Sequence, residues 1–308
     1  MECKLSVVIP VYNRAGIVSR TLDSVSAQTL RPLRVILVDN NSTDGSVTVL
    51  DEWRRRESAP NFAVDIIAEK EPGAAAARNA GLARVTTPWV MFFDSDDIMD
   101  PDHCRRAMGA ADDSADIIGW DVDIALKSGR RTGTFVRGAS HFDNIFRGGM
   151  ATLRWCARTE TVRLAGGWNP KALIWDDIEL GARLIAAGAR IKGLTGAPTA
   201  HTGYTADSIS FAPAAEKAGR IRTVLALIEE SLPAGKRHYV DFKRVLAAGE
   251  MLRESGGAGV SGEAVRQLYT EALMRAGSAW HRVLMRMCFN YIRRYPRGAV
   301  PFLSVFVK

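Results

Sequence analysis

Short apolar runs alternate with amphipathic stretches along the first hundred residues, and this alternation predicts a parallel sheet wrapped by helices. Lys4–Val11, Leu33–Asp39, Phe62–Ala68 and Trp89–Asp94 read as strands. Ala15–Gln28, Gly45–Arg56 and Ala74–Arg84 read as the helices between them, with Ser42 or Asp44 as N-cap of the second. A fifth strand is expected over 115–124, whereas 130–165 mixes Gly, Arg and aromatics without a readable period. A helix over Asp177–Ala187, ended by Gly188, precedes a short strand at Arg190–Leu194. After Ala212 helix formers dominate, broken at Pro233–Gly235 and again over 255–262. The expected division is an α/β domain over 1–211 and a helical C-terminal appendage over 212–308, with no internal repeat.

In an open parallel sheet, ligands collect beyond the carboxyl ends of the strands, and the unusual polar residues fall there. The first strand ends in Pro10-Val11-Tyr12-Asn13-Arg14, the second in Asp39 to Gly45, and the fourth in Asp94-Ser95-Asp96-Asp97. Asp39 can accept the N3–H of a uracil ring; the same turn also serves as a plain helix cap. Asp94, Asp96 and Asp97 concentrate three like charges at the mouth of a buried strand. A divalent cation makes that tolerable, and hard oxygen donors that leave room for substrate phosphates suit Mn2+ or Mg2+. The competing reading is a solvated acidic turn. Pro72 to Gly81 is a small-residue helix start that either packs tightly or sends Arg78 toward the nucleotide and its acidic neighbours.

Together these segments resemble the family 2 glycosyltransferases of the GT-A fold. The match is carried by Ser6 to Asn13, Val38 to Ser46, Pro72 to Gly81 and Phe92 to Asp97, in the family's order. It continues loosely through Gly166-Gly167-Trp168-Asn169 and Trp175-Asp176-Asp177-Ile178-Glu179-Leu180. The resemblance implies a mainly parallel central sheet with flanking helices and inverting sugar transfer from a nucleotide-diphosphate donor, UDP favoured. The acceptor is expected to be a hydroxyl of a glycan or lipid-linked molecule in cell-envelope polysaccharide synthesis. Pro10, Val11, Tyr12, Asn13, Asp39, Arg78, Asp94, Ser95 and Asp96 are the implied donor-binding residues, and Asp94, Asp96 and His201 the implied contacts of Mn2+ or Mg2+. Where the family has Glu-Asp before a helix, this chain has Asp176-Asp177, so Asp177 matches the general base, with Asp176 and Glu179 as neighbours that could share the work. Trp168 and Trp175 read as packing residues or as sugar-stacking rings. A non-catalytic nucleotide-sugar-binding scaffold is the alternative. A sugar-nucleotide pyrophosphorylase fits less well, because Pro10 to Arg14 lacks the glycine-rich loop of that class.

Composition changes this picture only at the tail. Hydrophobic residues make up 47% and charged residues 24% of 308, which fits a globular chain. The four dispersed cysteines suggest neither a zinc knuckle nor a disulfide framework and fit a reducing cytosol. Met1–Pro10 lacks the progression of a signal peptide, and no apolar run is long enough to span a bilayer. Residues 272–308 hold seven Lys or Arg and no acid, within a formal net charge of +7. Trp280, Val283, Leu284, Met287, Cys288, Tyr291, Ile292 and Tyr295 share one helical face, with Arg275, Arg282, Arg286 and Arg293 on the other. Residues 275–295 are therefore expected either to lie peripherally on the cytoplasmic face of a membrane or to dock on the catalytic domain. No motif points to nucleic acid.

Overall fold

The computed structural model describes residues 2–126, 129–133, 140–203, 214–254, 260–295 and 298–307. From the N-terminus the chain runs β1 (Leu5–Val11), α1 (Val18–Ser26), β2 (Leu33–Asp39), α2 (Ser46–Glu57), β3 (Phe62–Ala68), α3 (Ala74–Arg84) and β4 (Trp89–Phe92). It continues through β5 (Ile98–Met99), α4 (His103–Gly109), β6 (Ile117–Gly119), β7 (Val122–Leu126), β8 (Gly129–Gly133) and α5 (His141–Arg147). Then come β9 (Trp155–Arg158), α6 (Thr159–Leu164), α7 (Asp176–Ala186), β10 (Ile191–Gly193) and β11 (Ala200–His201). The helices α8 (Ala214–Ser231), α9 (His238–Glu254), α10 (Val260–Arg275), α11 (Ala279–Ile292) and α12 (Ala299–Phe306) follow.

Contacts divide the chain into two compact units, one of residues 1–139, 149–170 and 187–206, the other of 140–148, 171–186 and 207–308. The C-terminal helices thus form a unit together with α5 and α7, two internal segments that a division at 211/212 assigns elsewhere.

In the first unit, β1 is buried on both faces, so it needs a partner on each edge and cover on each side. The sheet order β10-β6-β9-β4-β1-β2-β3 supplies the partners. All neighbours pair in parallel except β9, which runs antiparallel to β4 and β6. A smaller sheet, β5-β11-β7-β8, joins the same unit. The helix α3 lies close to the sheet because position 81 is glycine: a Cβ there would stand 2.4 Å from Val8 Cγ1. The bounds of β2, β3 and α3 are the predicted ones. The run 115–124 is instead two strands on different sheets. Trp120 separates them, anchored by its indole N–H to Leu153 O at 2.8 Å.

The second unit packs Phe142 of α5, Ile178 of α7 and apolar residues of α8 to α12 into one core. Ser140 caps α5 by accepting the Asp143 N–H, and Gly148, at φ 61°, ends it. The apolar face predicted for the tail helix is split. Leu284, Cys288 and Ile292 are buried with Met285 and Phe289, whereas Trp280, Val283, Met287, Tyr291 and Tyr295 are exposed. Arg275, expected on the basic face, ends α10 and pairs with Asp241 at 2.8 Å and with Glu229. Among the described residues no helix is long and apolar enough to cross a membrane.

The Gly81 contact yields a stability test. Gly81→Ala should lower the unfolding free energy by about 1–3 kcal/mol in urea titration, and Val8→Ala in the same chain should recover part of it. An unchanged midpoint in Gly81→Ala would mean that α3 does not approach β1 this closely.

Candidate functional site

The parallel order β4-β1-β2-β3 brings the carboxyl ends of four strands side by side; side chains tie together the loops after β1, β2 and β3, and Arg78 of α3 reaches the loop after β4. The Asn13 N–H donates to Ser42 Oγ at 3.1 Å, and Asn13 Oδ1 accepts the Thr43 N–H at 2.8 Å. The Arg14 N–H donates to Ser46 Oγ at 2.8 Å and the Ala15 N–H to Asp44 Oδ2 at 2.9 Å. Asp44 Oδ1 also takes the Ser46 N–H at 3.0 Å and Ser42 serves the neighbouring loop; the N-cap of α2 is neither of them but Gly45, at φ 89°. The Ser46 hydroxyl, then the Ala15 N–H, hold the Asp44 carboxyl below its ordinary range. Asn40 reaches the third loop, donating to Glu69 O at 2.9 Å and Glu71 O at 2.7 Å and accepting the Gly73 N–H at 2.7 Å. Asn13 and Asn41, at φ 50° and 65°, occupy the left-handed region that asparagine tolerates better than other side chains.

The residues expected to meet the nucleotide differ in what they offer. Tyr12 is 57% exposed at the loop tip, and Pro10 is half-buried. Val11 is wholly buried in the core; its side chain cannot reach a ligand, and its carbonyl accepts the Asn40 N–H at 2.8 Å. Asp39 is buried at the base of the loop, its Oδ1 taking the Ser42 N–H at 3.4 Å.

At the acidic tip, side chains alternate. Ser95 and Asp97 turn inward, whereas Asp94 and Asp96 are half-exposed. Arg78 Nη2 stands 2.8 Å from Asp94 Oδ1, and the guanidinium lies 4.4 Å from the Trp168 ring centroid. Trp168 is buried edge-on to Phe92 at 5.1 Å, so it packs. Asn79 locks it in place, donating to Trp168 O at 2.7 Å and accepting the Trp168 N–H at 2.8 Å. The preceding Gly167 has φ 67°, and a Cβ there would stand 2.6 Å from Asn79 Oδ1. Behind the tip, the Gly203 N–H donates to Asp97 Oδ1 at 2.9 Å, and a Cβ on Gly203 would stand 1.9 Å from the Asp96 carbonyl oxygen. Burial, then the charges of Asp94 and Asp96, push the Asp97 carboxyl well above the usual carboxylate range.

His201 is held elsewhere in this unit. Its Nε2 is 3.0 Å from Asp100 Oδ1 and its Nδ1 3.5 Å from Asp123 Oδ2. Among the described residues no group of three or more His, Cys, Asp or Glu is arranged to hold a metal ion, so Asp94, Asp96 and His201 do not form a three-donor set. Both imidazole nitrogens already face carboxylates, which explains why the lone histidine is not a third donor. Tyr204 and Ser208 to Ser210, which follow His201 in the sequence, lie outside the described residues, as do Arg297 and Lys308 of the basic tail.

In the second unit, Asp176 and Asp177 open α7. The Asp177 N–H donates to Asp176 Oδ1 at 3.1 Å and the Ile178 N–H to Asp177 Oδ1 at 2.7 Å, so each carboxylate meets an amide of the first turn. Glu179 is buried and bonded twice by Arg183, at 2.8 and 2.6 Å. Trp175 has φ 54°, a strained value for a tryptophan, and its ring packs on the core of this unit beneath Lys243 Nζ, 4.6 Å from the ring centroid. Burial lowers the Lys243 ammonium, opposed by the charges of Glu250 and Asp177.

Sequence reasoning did not single out Asn40, Asn79 and Gly203 as ties. The two asparagines lie inside the quoted motifs, but their bonds run between loops far apart in the chain, and Gly203 carries no local signal.

Residues 6–146 match the family described as "Glycosyl transferase family 2". A relative, "Succinoglycan biosynthesis protein ExoW" of Rhizobium meliloti, is 37% identical over 107 residues, covering 34% of this chain and 33% of that protein. The chain spans less than half the length of the curated relatives it matches. S. aureus TarS 1-349 in complex with UDP-GlcNAc has a TM-score of 0.68 at 17% identity, covering 94% of this chain and 87% of that one. The mannosyltransferase PcManGT from Pyrobaculum calidifontis, in complex with GDP-Man and Mn2+, has a TM-score of 0.56 at 18% identity, covering 99% and 88%. Residues 6–146 are thus a family 2 glycosyltransferase segment, and the fold that carries them is GT-A.

Proposed function

We propose that the protein is an inverting glycosyltransferase that moves a sugar from a nucleotide-diphosphate donor, a UDP-sugar in the first instance, to a hydroxyl of a glycan or lipid-linked acceptor in polysaccharide synthesis. The observation that carries this reading is the interlock of the loops after β1, β2 and β3, which Arg78 of α3 extends to the acidic pair after β4, beside the buried Asp39. A relative bears a name that speaks of succinoglycan biosynthesis, and two other proteins of like fold are held in complex with UDP-GlcNAc and with GDP-Man, which supports the substrate class.

In this reading Asp39 accepts the N3–H of uracil, since one backbone amide does not exhaust the acceptor capacity of a carboxylate. Tyr12 offers an exposed ring to the base, and Asn13 fixes the loop that carries it. Arg78 holds Asp94 in place. Asp94 and Asp96 are hard oxygen donors on one short loop; burial first, and then their charges, raise the Asp97 carboxyl, and a cation would relieve the repulsion among the three, so the donor set fits Mn2+ or Mg2+. Such an ion would neutralise charge on the departing diphosphate. Asp177, which matches the family's base, takes the acceptor proton as the acceptor oxygen bonds to the anomeric carbon and the bond to the diphosphate breaks. The lipid-linked class of acceptor goes with peripheral membrane contact through the tail.

UDP should raise the melting temperature when Mn2+ or Mg2+ is present, by about 2.7 kcal/mol of added stability at a hundredfold excess over Kd, and Asp96→Asn should abolish that metal-dependent part. An equal shift in EDTA would contradict the metal role. Donor hydrolysis, with water as acceptor, tests the base. Asp177→Asn should slow UDP-sugar hydrolysis by roughly 10²–10⁴-fold while leaving the UDP-induced melting shift unchanged. Loss in Asp176→Asn instead would move the role to Asp176, and absence of hydrolysis in the unaltered protein with every UDP-, GDP- and dTDP-sugar would favour a binding scaffold.

A further inference from the structure

The helix α11 presents three stripes rather than two. Leu284, Met285, Cys288, Phe289 and Ile292 face the core of the helical unit. Arg282, Arg286 and Arg293 form a second, exposed row. Between them and on the outside runs a third row, Trp280, Val283, Met287, Tyr291 and Tyr295, each 42–55% exposed. Helical spacing puts the first four within about one quarter of the circumference, and Tyr295, just past the end of α11, meets the Tyr291 ring at 5.0 Å, so the five form a continuous strip.

The strip does not end with α11. The Trp280 ring meets the Phe306 ring of α12 at 6.4 Å, and Val305 and Phe306 are 74% and 45% exposed. Between the two helices lies a mostly apolar groove of about 270 Å³, lined by Met287, Cys288, Tyr291, Gly298, Ala299 and Phe302. Two helices therefore share one exposed apolar face, wider than the scattered single residues that water-facing surfaces ordinarily carry.

We propose that this face of α11 and α12 docks on an anionic lipid bilayer, with Trp280, Tyr291 and Tyr295 at the headgroup boundary and the α11–α12 groove turned toward the acyl chains. The residue types fit: indole and phenol rings favour that boundary, and aliphatic Val283 and Met287 lie between them. The charge selects the occupant. Residues 272–308 hold no Asp or Glu, so Arg282, Arg286, Arg293 and Arg294 have no acidic counterpart within the tail. A second copy of the chain seated on this face would set arginines against arginines, whereas anionic headgroups complement them. The inference gives a surface to the lipid-linked acceptor class of the proposed function, but vesicle binding and sugar transfer can fail separately.

The test is flotation of the full 308-residue chain with phosphatidylcholine vesicles with and without phosphatidylserine. Binding to the anionic vesicles alone, falling as salt rises, is expected. Arg282→Glu with Arg286→Glu, and separately Trp280→Ser with Tyr291→Ser, should each weaken it by roughly tenfold or more without moving the melting temperature in vesicle-free buffer, since all four side chains are exposed or partly so. Protein that stays below the vesicles at low salt overturns the proposal, as does equal binding to neutral vesicles. A Trp280/Tyr291 variant that turns an oligomer into a monomer while vesicle binding persists would assign the face to self-association instead.

Discussion

The candidate site depends on one constraint: three loops leave adjacent parallel strands and must hold fixed positions with few backbone bonds among themselves. Asn13 and Asn40 meet it. Each side chain replaces a stretch of missing ladder, Asn13 by accepting from Thr43 and Asn40 by bridging Glu69, Glu71 and Gly73. An amide side chain both donates and accepts, which a carboxylate or hydroxyl of equal length cannot do as fully. The left-handed backbone at Asn13 is held by its own side-chain bond, and that at Asn41 by the bond from its amide to Lys70 O at 3.0 Å.

Electrostatics at the acidic tip follow from that frame. Arg78 is fixed from below by the face of Trp168, which Asn79 and Phe92 immobilise, so its charge is delivered to Asp94 from a rigid base. Asp97 is turned inward against the Gly203 N–H, leaving Asp94 and Asp96 as the carboxylates at the surface. Small residues at 81, 167 and 203 make this geometry possible, since a Cβ at each would collide with Val8, Asn79 or the Asp96 backbone. The frame thus explains why the segments that look most like helix packing and those that look most like chemistry are the same segments.

Much of this was legible in the sequence, because the first four strands and three helices are regular and their periods survive in every side chain. The strand tips, the acidic loop and the Arg78–Asp94 partnership follow from that regularity. The region from 130 to 165 was not legible: β8, α5, β9 and α6 are short, and α5 belongs to a different compact unit from its neighbours in the chain. The sequence predicts one apolar face for the tail helix. The sequence period places Leu284 and Tyr291 on similar bearings, and only packing separates the buried row from the exposed one. The surroundings of His201 are not legible for a similar reason, since the carboxylates that flank it are Asp100 and Asp123, distant in sequence.

The central claim is that the ends of β1, β2 and β4 form a single nucleotide-diphosphate site. A crystal structure of the protein grown with UDP and Mn2+, using the anomalous signal of manganese, tests it most directly. The account predicts uracil against Asp39, the diphosphate beside Asp94 and Asp96, and one manganese peak bonded to at least one of those two carboxylates. Manganese on other residues, or UDP bound away from these strand tips, would contradict it.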